Sequence, residues 1–254
     1  MEFHRLVSTD KTSFLRLPLE LRRNVYAYIL PHTEAFDLRF QRGNGEAKQQ
    51  SESNKEGNEI VWRLGCISIL STCRQIHDEC VDMIYGDNTF VIDVSFDAIE
   101  FNKRWRTANN LTPGRPYLFL DHFSQRNLMK IRNYVVNVEH VDDYTGMIKF
   151  NYSGQGLTAG IQGKVQELVD LLVLVPNLRR LHVHLIDGAI SRLRFPSARV
   201  LRVQDVTIDF ASQTVLNPFM GVSGVCKATV TGVSETYATR LKTSMAETRG
   251  APRR

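Results

Sequence analysis

Ser13 to Leu30, SFLRLPLELRRNVYAYIL, is the stretch on which the reading of the N-terminal half turns. Pro18 fits the first position of a helix, because its missing N–H would be unpaired there and its ring pre-sets φ. Glu20 places a carboxylate near the positive end of the helix dipole. Leu21, Val25, Tyr28 and Ile29 recur at i, i+4, i+7 and i+8, one apolar stripe. Arg22, Arg23 and Asn24 make the polar face, and Pro31 stops the run.

A second block follows. Leu64 to Tyr85 predicts one long helix, with Cys66, Ile69, Leu70, Cys73, Ile76, Cys80, Met83 and Ile84 at steps of three and four, and Gly86 as its stop. Between the blocks, Gln41 to Glu59, QRGNGEAKQQSESNKEGNE, has no large apolar residue and is expected to be a flexible insertion. A short strand is expected at Ala35–Phe40.

LPLELRRNVYAYIL is similar to the first half of an F-box, whose usual opening is Leu-Pro-x-Glu-Leu followed by an aliphatic or aromatic stripe. It resembles more closely a large fungal family of F-box-like proteins that begin LPxELRxxIYxYxL and continue LxxxCRQIxxExxxxxYxxNxF. The second block is here Leu70 to Phe90, LSTCRQIHDECVDMIYGDNTF. The resemblance implies docking on a Skp-type adaptor within a cullin ubiquitin ligase, a role inherited by analogy. It assigns docking to Leu17, Pro18, Leu21, Val25 and Ile29, and the adaptor-binding set expected here adds Arg22 and Tyr26. Tyr26, off the stripe and beside Arg22, is the expected anchor of that surface.

The chain then changes character. Asn88–Val94 alternates as a strand, and Ser95 is the expected cap of a helix over Phe96–Arg106. Asn109–Pro116, rich in Asn, Pro and Gly, is the candidate domain boundary. Beyond it come a short helix capped by Ser124, a strand at Tyr134–Val141, and an apolar helix over Gly163–Val175. Leu178-x-x-Leu181-x-Val183 has the strand signature of a leucine-rich repeat. Weaker copies start at Ile131, Ala198 and Val225, separated by 47, 20 and 27 residues, and a further strand could lie at Met147–Tyr152.

The fold class expected is therefore mixed α+β. Residues 1–108 form an F-box-like helical module with an insertion at 41–59, and residues 117–240 form an irregular repeat-like sheet backed by helices. Residues 241–254 are a disordered tail. Parallel strands would expose Asn137, Glu139, Arg180, His182, His184, Arg202, Gln204, Thr229 and Thr231 on one polar face. Of these, Arg180, His182, His184, Arg202 and Gln204 are the candidate partner-binding residues, since repeat sheets present such faces to other proteins.

The net charge of +5 is unevenly spread: residues 171–254 carry 12 basic and 5 acidic side chains. That basic third admits nucleic acid as a distant alternative, but no helix-turn-helix, finger or stacking-aromatic motif accompanies it. No apolar run approaches the ~20 residues that span a bilayer. The N-terminus lacks a secretory signal, so the chain is expected in the cytoplasm or nucleus. Cys66, Cys73 and Cys80, seven apart, read as small buried residues of one helix stripe rather than disulfide or zinc ligands. His182-x-His184 lacks a third metal ligand, and His77–Glu79 is not HExxH. No nucleophile elbow or phosphate loop is present, so neither catalysis nor a cofactor is expected. Two readings remain. One is a non-catalytic adaptor joining a target protein to a Skp–cullin ligase. The other is an interaction module whose LPLEL helix packs inward and never meets a Skp adaptor.

Overall fold

The computed structural model describes residues 14–37, 58–109, 111–140, 155–187, 193–194, 200–201 and 210–247. After a 3-10 turn at Phe14–Arg16 come α1 (Leu19–Ile29), β1 (His32–Asp37) and β2 (Asn58–Arg63). A second 3-10 turn, Ile67–Ser71, precedes α2 (Arg74–Gly86), β3 (Thr89–Val94), β4 (Ile99–Arg106) and β5 (Gly114–Leu118). The short helices α3 (Phe119–His122) and α4 (Gln125–Leu128) lead to β6 (Asn133–His140), α5 (Gln155–Leu174) and β7 (Arg180–Asp187). Then follow β8 (Leu193–Arg194), β9 (Val200–Leu201), α6 (Phe210–Gln213), a 3-10 stretch at Thr214–Gly221, β10 (Lys227–Thr231) and α7 (Glu235–Ala246).

The architecture is mixed α and β around one sheet in the order β1-β2-β4-β3-β6-β7-β10, with β5 paired to β4. β3, β6, β7 and β10 run parallel as successive neighbours, while β3–β4 and β4–β5 are antiparallel hairpins. Alternation places Phe90, Ile92 and Val94 of β3, and Leu181, Val183 and Leu185 of β7, in one buried layer. α5 covers that layer with Leu157, Ile161, Val165, Leu168 and Leu172, a stripe of helical period. α7 adds Tyr237, Leu241 and Met245 to the same core. Gly232, at φ +79°, turns the chain from β10 toward α7 where a Cβ would overlap the Leu185 carbonyl oxygen.

Several expectations are corrected. The single helix over Leu64–Tyr85 is broken: Thr72 Oγ1 donates to the Ile69 carbonyl, and Cys73 is extended at φ −158° before α2 starts. Only Cys80 is then buried, while Cys66 and Cys73 are exposed. The helix over Phe96–Arg106 is strand β4. Ser95 does not cap a helix; it closes the β3–β4 turn by exchanging hydrogen bonds with Ala98. The expected helical module therefore contains four strands. Asn109–Pro116 spans the β4–β5 turn, and the sheet runs on across it through the β3–β6 pair.

Strand β6 starts at Asn133, and the helix expected over Gly163–Val175 is the longer α5. Three of the four repeat phrases lead into parallel strands, β6, β7 and β10. The Ala198 copy falls on β9, which pairs with β8 outside the main sheet. The three phrases on the sheet then stand 47 residues apart each time, one strand-to-strand crossover per interval. Beyond residue 241 the chain is not simply tail: α7 continues to Ala246 with Leu241 and Met245 fully buried. The expected insertion at 41–59 lies outside the described residues except for the start of β2, and Met147–Tyr152 lies outside them altogether.

Candidate docking surface

α1 meets α2 through a small apolar packing of Tyr26, Leu30 and Cys80, edged by Phe14, Ile69, Leu70, Ile76, Met83 and Ile84. The Phe14 ring stands edge-on to Tyr26 at 5.7 Å. What aligns the helix is polar. Arg22 donates to both oxygens of Glu79, from Nε at 2.9 Å and Nη2 at 2.6 Å, a bidentate pair nearly out of solvent. The Tyr26 hydroxyl donates to Glu79 Oε2 at 2.9 Å, and Gln75 Nε2 to Oε1 at 3.0 Å. Arg22 Nη1 also donates to the Leu15 and Leu17 carbonyls, tying the turn before α1 to the same node.

The electrostatics follow the geometry. Hydrogen bonding from Arg22 holds the Glu79 carboxyl down at about 2, and the same contact raises the Arg22 guanidinium. Burial, then the bond to Glu79, pushes the Tyr26 phenol up to about 12. Burial lifts the Cys80 thiol to about 11.

This node reverses part of the expected site. Arg22 and Tyr26, both expected to contact the adaptor, are buried and serve to hold the helix. Ile29 is half-buried. The remaining motif residues face solvent: Leu17 is 36 % exposed, Leu21 50 % and Val25 39 %, and Pro18 is exposed as well. Tyr28 stands 92 % exposed beside them. At about 100° per residue, Leu21, Val25 and Tyr28 lie within about 60° of one another, while Arg22 and Tyr26 point about 100–140° round from Leu21. The apolar stripe is real, and it looks outward.

Sequence reasoning missed Leu64 and Ile67, which are 66 % and 64 % exposed. They flank a segment seated on the end of α1: the Cys66 N–H donates to the Ile29 carbonyl at 2.8 Å. Gly65 lies so close that a Cβ there would overlap the Ile29 oxygen and the Leu30–Pro31 peptide. The only available signal was Gly65 itself, placed inside an otherwise helical pattern.

Asn88 closes the same region. Its Oδ1 accepts from the Thr33 backbone N–H at 2.6 Å, and its Nδ2 donates to the Ile84 and Pro31 carbonyls. The first helix and the chain just after it are thus tied to the second block through Arg22 and Tyr26 on Glu79, and through Thr33 and Pro31 on Asn88.

The expected partner-binding face is polar but engaged. His182 and His184 are half-buried, and both ring systems share the Thr231 hydroxyl, at 2.9 and 2.8 Å. Asn137 and Asn102 both donate to Asp93 at 2.7 Å, extending this row over neighbouring strands. Of the candidates among the described residues, only Arg180 is exposed. Arg202 and Gln204 lie outside the described residues.

Among the described residues no helix is long and apolar enough to cross a membrane, and no three His, Cys, Asp or Glu side chains gather as a metal site would require. No curated protein and no solved structure matches the chain. Residues 7–109, the part that holds α1, α2 and the first four strands, match a family described as a domain of unknown function, DUF7730.

Proposed function

We propose that the chain is a non-catalytic F-box-type adaptor, with the outer edge of α1 as its docking surface for a Skp-type protein and the sheet region as the part that meets a target. One observation carries this reading: Leu17, Pro18, Leu21 and Val25 face solvent, on a helix fixed from behind by Arg22, Tyr26 and Glu79. A face that only filled a core would bury its aliphatic side chains. A rigid helix with unpartnered Leu, Val and Tyr side chains meets the requirement for an anchor cluster at low ordering cost. In such a role the chain raises the effective concentration of a target beside the transfer machinery and needs no chemistry of its own.

The second reading, an interaction module that never meets a Skp adaptor, is favoured by Arg22 and Tyr26: two residues of the F-box-like motif are spent on internal packing. Co-purification of the full chain with a fungal Skp-type adaptor separates the two. A stoichiometric complex, lost in a folded Leu21→Ala/Val25→Ala variant, is the result expected for the adaptor. Folded wild type that forms no complex leaves the architectural reading.

A further inference from the structure

The β4–β5 hairpin carries its charge in a way that folding alone does not explain. Residues 99–118 hold Lys103, Arg104, Arg106 and Arg115 against one acid, Glu100. In the antiparallel register Lys103 stands directly opposite Arg115, and like charges so placed repel. Among the described residues no carboxylate bridges that pair. Arg115 instead lies over the Tyr117 ring at 5.0 Å. At the turn end of the hairpin a second like-charged pair, Arg63 and Arg106, faces across the β2–β4 register. There Glu34 sits between them at 3.1 Å from each. The contrast matters: where the fold needs a cation pair to be tolerated, it supplies a carboxylate, and at Lys103–Arg115 it supplies none.

Beside Arg63 and Arg106 opens a cleft of ≈ 560 Å³, lined also by Leu64, Trp105, Thr107 and Ala108. Leu64 in the cleft wall and Leu111, hydrogen-bonded to Thr107 in the β4–β5 turn, are each more than half exposed there, whereas Leu118, paired with Glu100, lies on the opposite face of the hairpin from Lys103 and Arg115. We propose that the β4–β5 hairpin and this cleft form an interaction surface for an acidic, leucine-bearing peptide segment of a partner protein, whose carboxylates face Lys103 and Arg115 and whose apolar side chains meet Trp105, on the same face of β4 as Lys103, together with Leu64 and Leu111. Bidentate guanidinium–carboxylate geometry suits the arginines, and desolvated aliphatic contact suits the leucines. Nucleic acid fits less well. It would gain nothing from the leucines, and the Tyr117 ring is already stacked on His122 at 4.4 Å and covered by Arg115.

The test is fluorescence anisotropy of the full chain with a labelled Glu/Leu peptide, beside a labelled single-stranded oligonucleotide of equal charge. Wild type binds the peptide, more weakly as salt rises. Lys103→Glu and Arg115→Glu each weaken binding about tenfold or more while the melting temperature holds or rises, since each variant turns a repelling pair into an attracting one. Arg115→Gln gives a smaller loss in the same direction. Unchanged peptide affinity in these variants, no peptide binding by wild type, or binding of the oligonucleotide in place of the peptide overturns the proposal. Leu64 borders both surfaces, but Lys103 and Arg115 lie in neither α1 nor the segment seated on its end, so loss of adaptor binding and loss of peptide binding are read separately.

Discussion

Around α5 the chain buries Leu157, Ile161, Val165, Leu168 and Leu172 against strands whose inward residues are nearly all apolar. Around α1, among the described residues, the buried apolar side chains are Tyr26, Leu30 and Cys80, and a charged pair and a phenol set the helix. The first region is held by area removed from water, which is non-directional and tolerant of small shifts. The second is held by hydrogen bonds of fixed geometry, which add little net stability and much alignment. A helix anchored in this way can leave its aliphatic edge outside, because the opposite side does not need that edge for burial.

Substitutions separate these two modes of support. The largest effect belongs to the sheet core: Phe219→Ala, at a fully buried ring, should cost about 3–5 kcal/mol in chemical denaturation. Next comes the polar node. Glu79→Ala leaves the Arg22 guanidinium buried without its carboxylate and should lower the melting temperature more than the double change Arg22→Met/Glu79→Leu does, as measured by thermal melts. If the double variant is the worse of the two, the node stabilises as well as aligns. Tyr26→Phe keeps the ring and removes one hydroxyl bond to a carboxylate, an expected loss of about 1–2 kcal/mol.

The same node can be probed with pH. The Glu79 carboxyl sits near 2 when folded and at its ordinary value of 4.5 when unfolded. Its contribution is therefore complete above pH 4.5 and lost as pH falls from there toward 2. Hydrogen exchange in α1 should rise over that window before exchange in α5 does. Simultaneous loss would mean that the two regions open as one unit.

What could be read in the chain itself divides along the same line. The sheet strands were legible where alternation met burial, as in TFVIDV of β3 and LHVHL of β7. β4 was not, because Ser95 looked like a helix cap. A Ser hydroxyl that takes the N–H three residues on serves a tight turn as readily as a helix. α7 was passed over although Tyr237, Leu241 and Met245 stand at helical spacing, because the basic end of the chain drew the reading toward a tail. For α1 the periodicity of Leu21, Val25 and Tyr28 was legible, and the inward seating of Arg22 and Tyr26 was not. A stripe reports which side chains share a face, not which way the face looks, and nothing local in ELRRNVYAYIL announces that Arg22 meets Glu79 fifty-seven residues later. The solvent-facing residues Leu17, Pro18, Leu21 and Val25 stand in the motif itself, whereas the exposure of Leu64 and Ile67 depends on a contact made by Gly65 that no pattern encodes.

The most direct test of the account is thermal melting of the two sides of α1. Leu21→Gln/Val25→Gln/Tyr28→Gln should melt within about 2 °C of wild type, because solvent-facing changes cost little. Tyr26→Ala, on the inward side, should melt far lower. The reverse order, with the triple variant strongly destabilised and Tyr26→Ala near wild type, would contradict an outward-facing apolar edge and remove the basis for docking there.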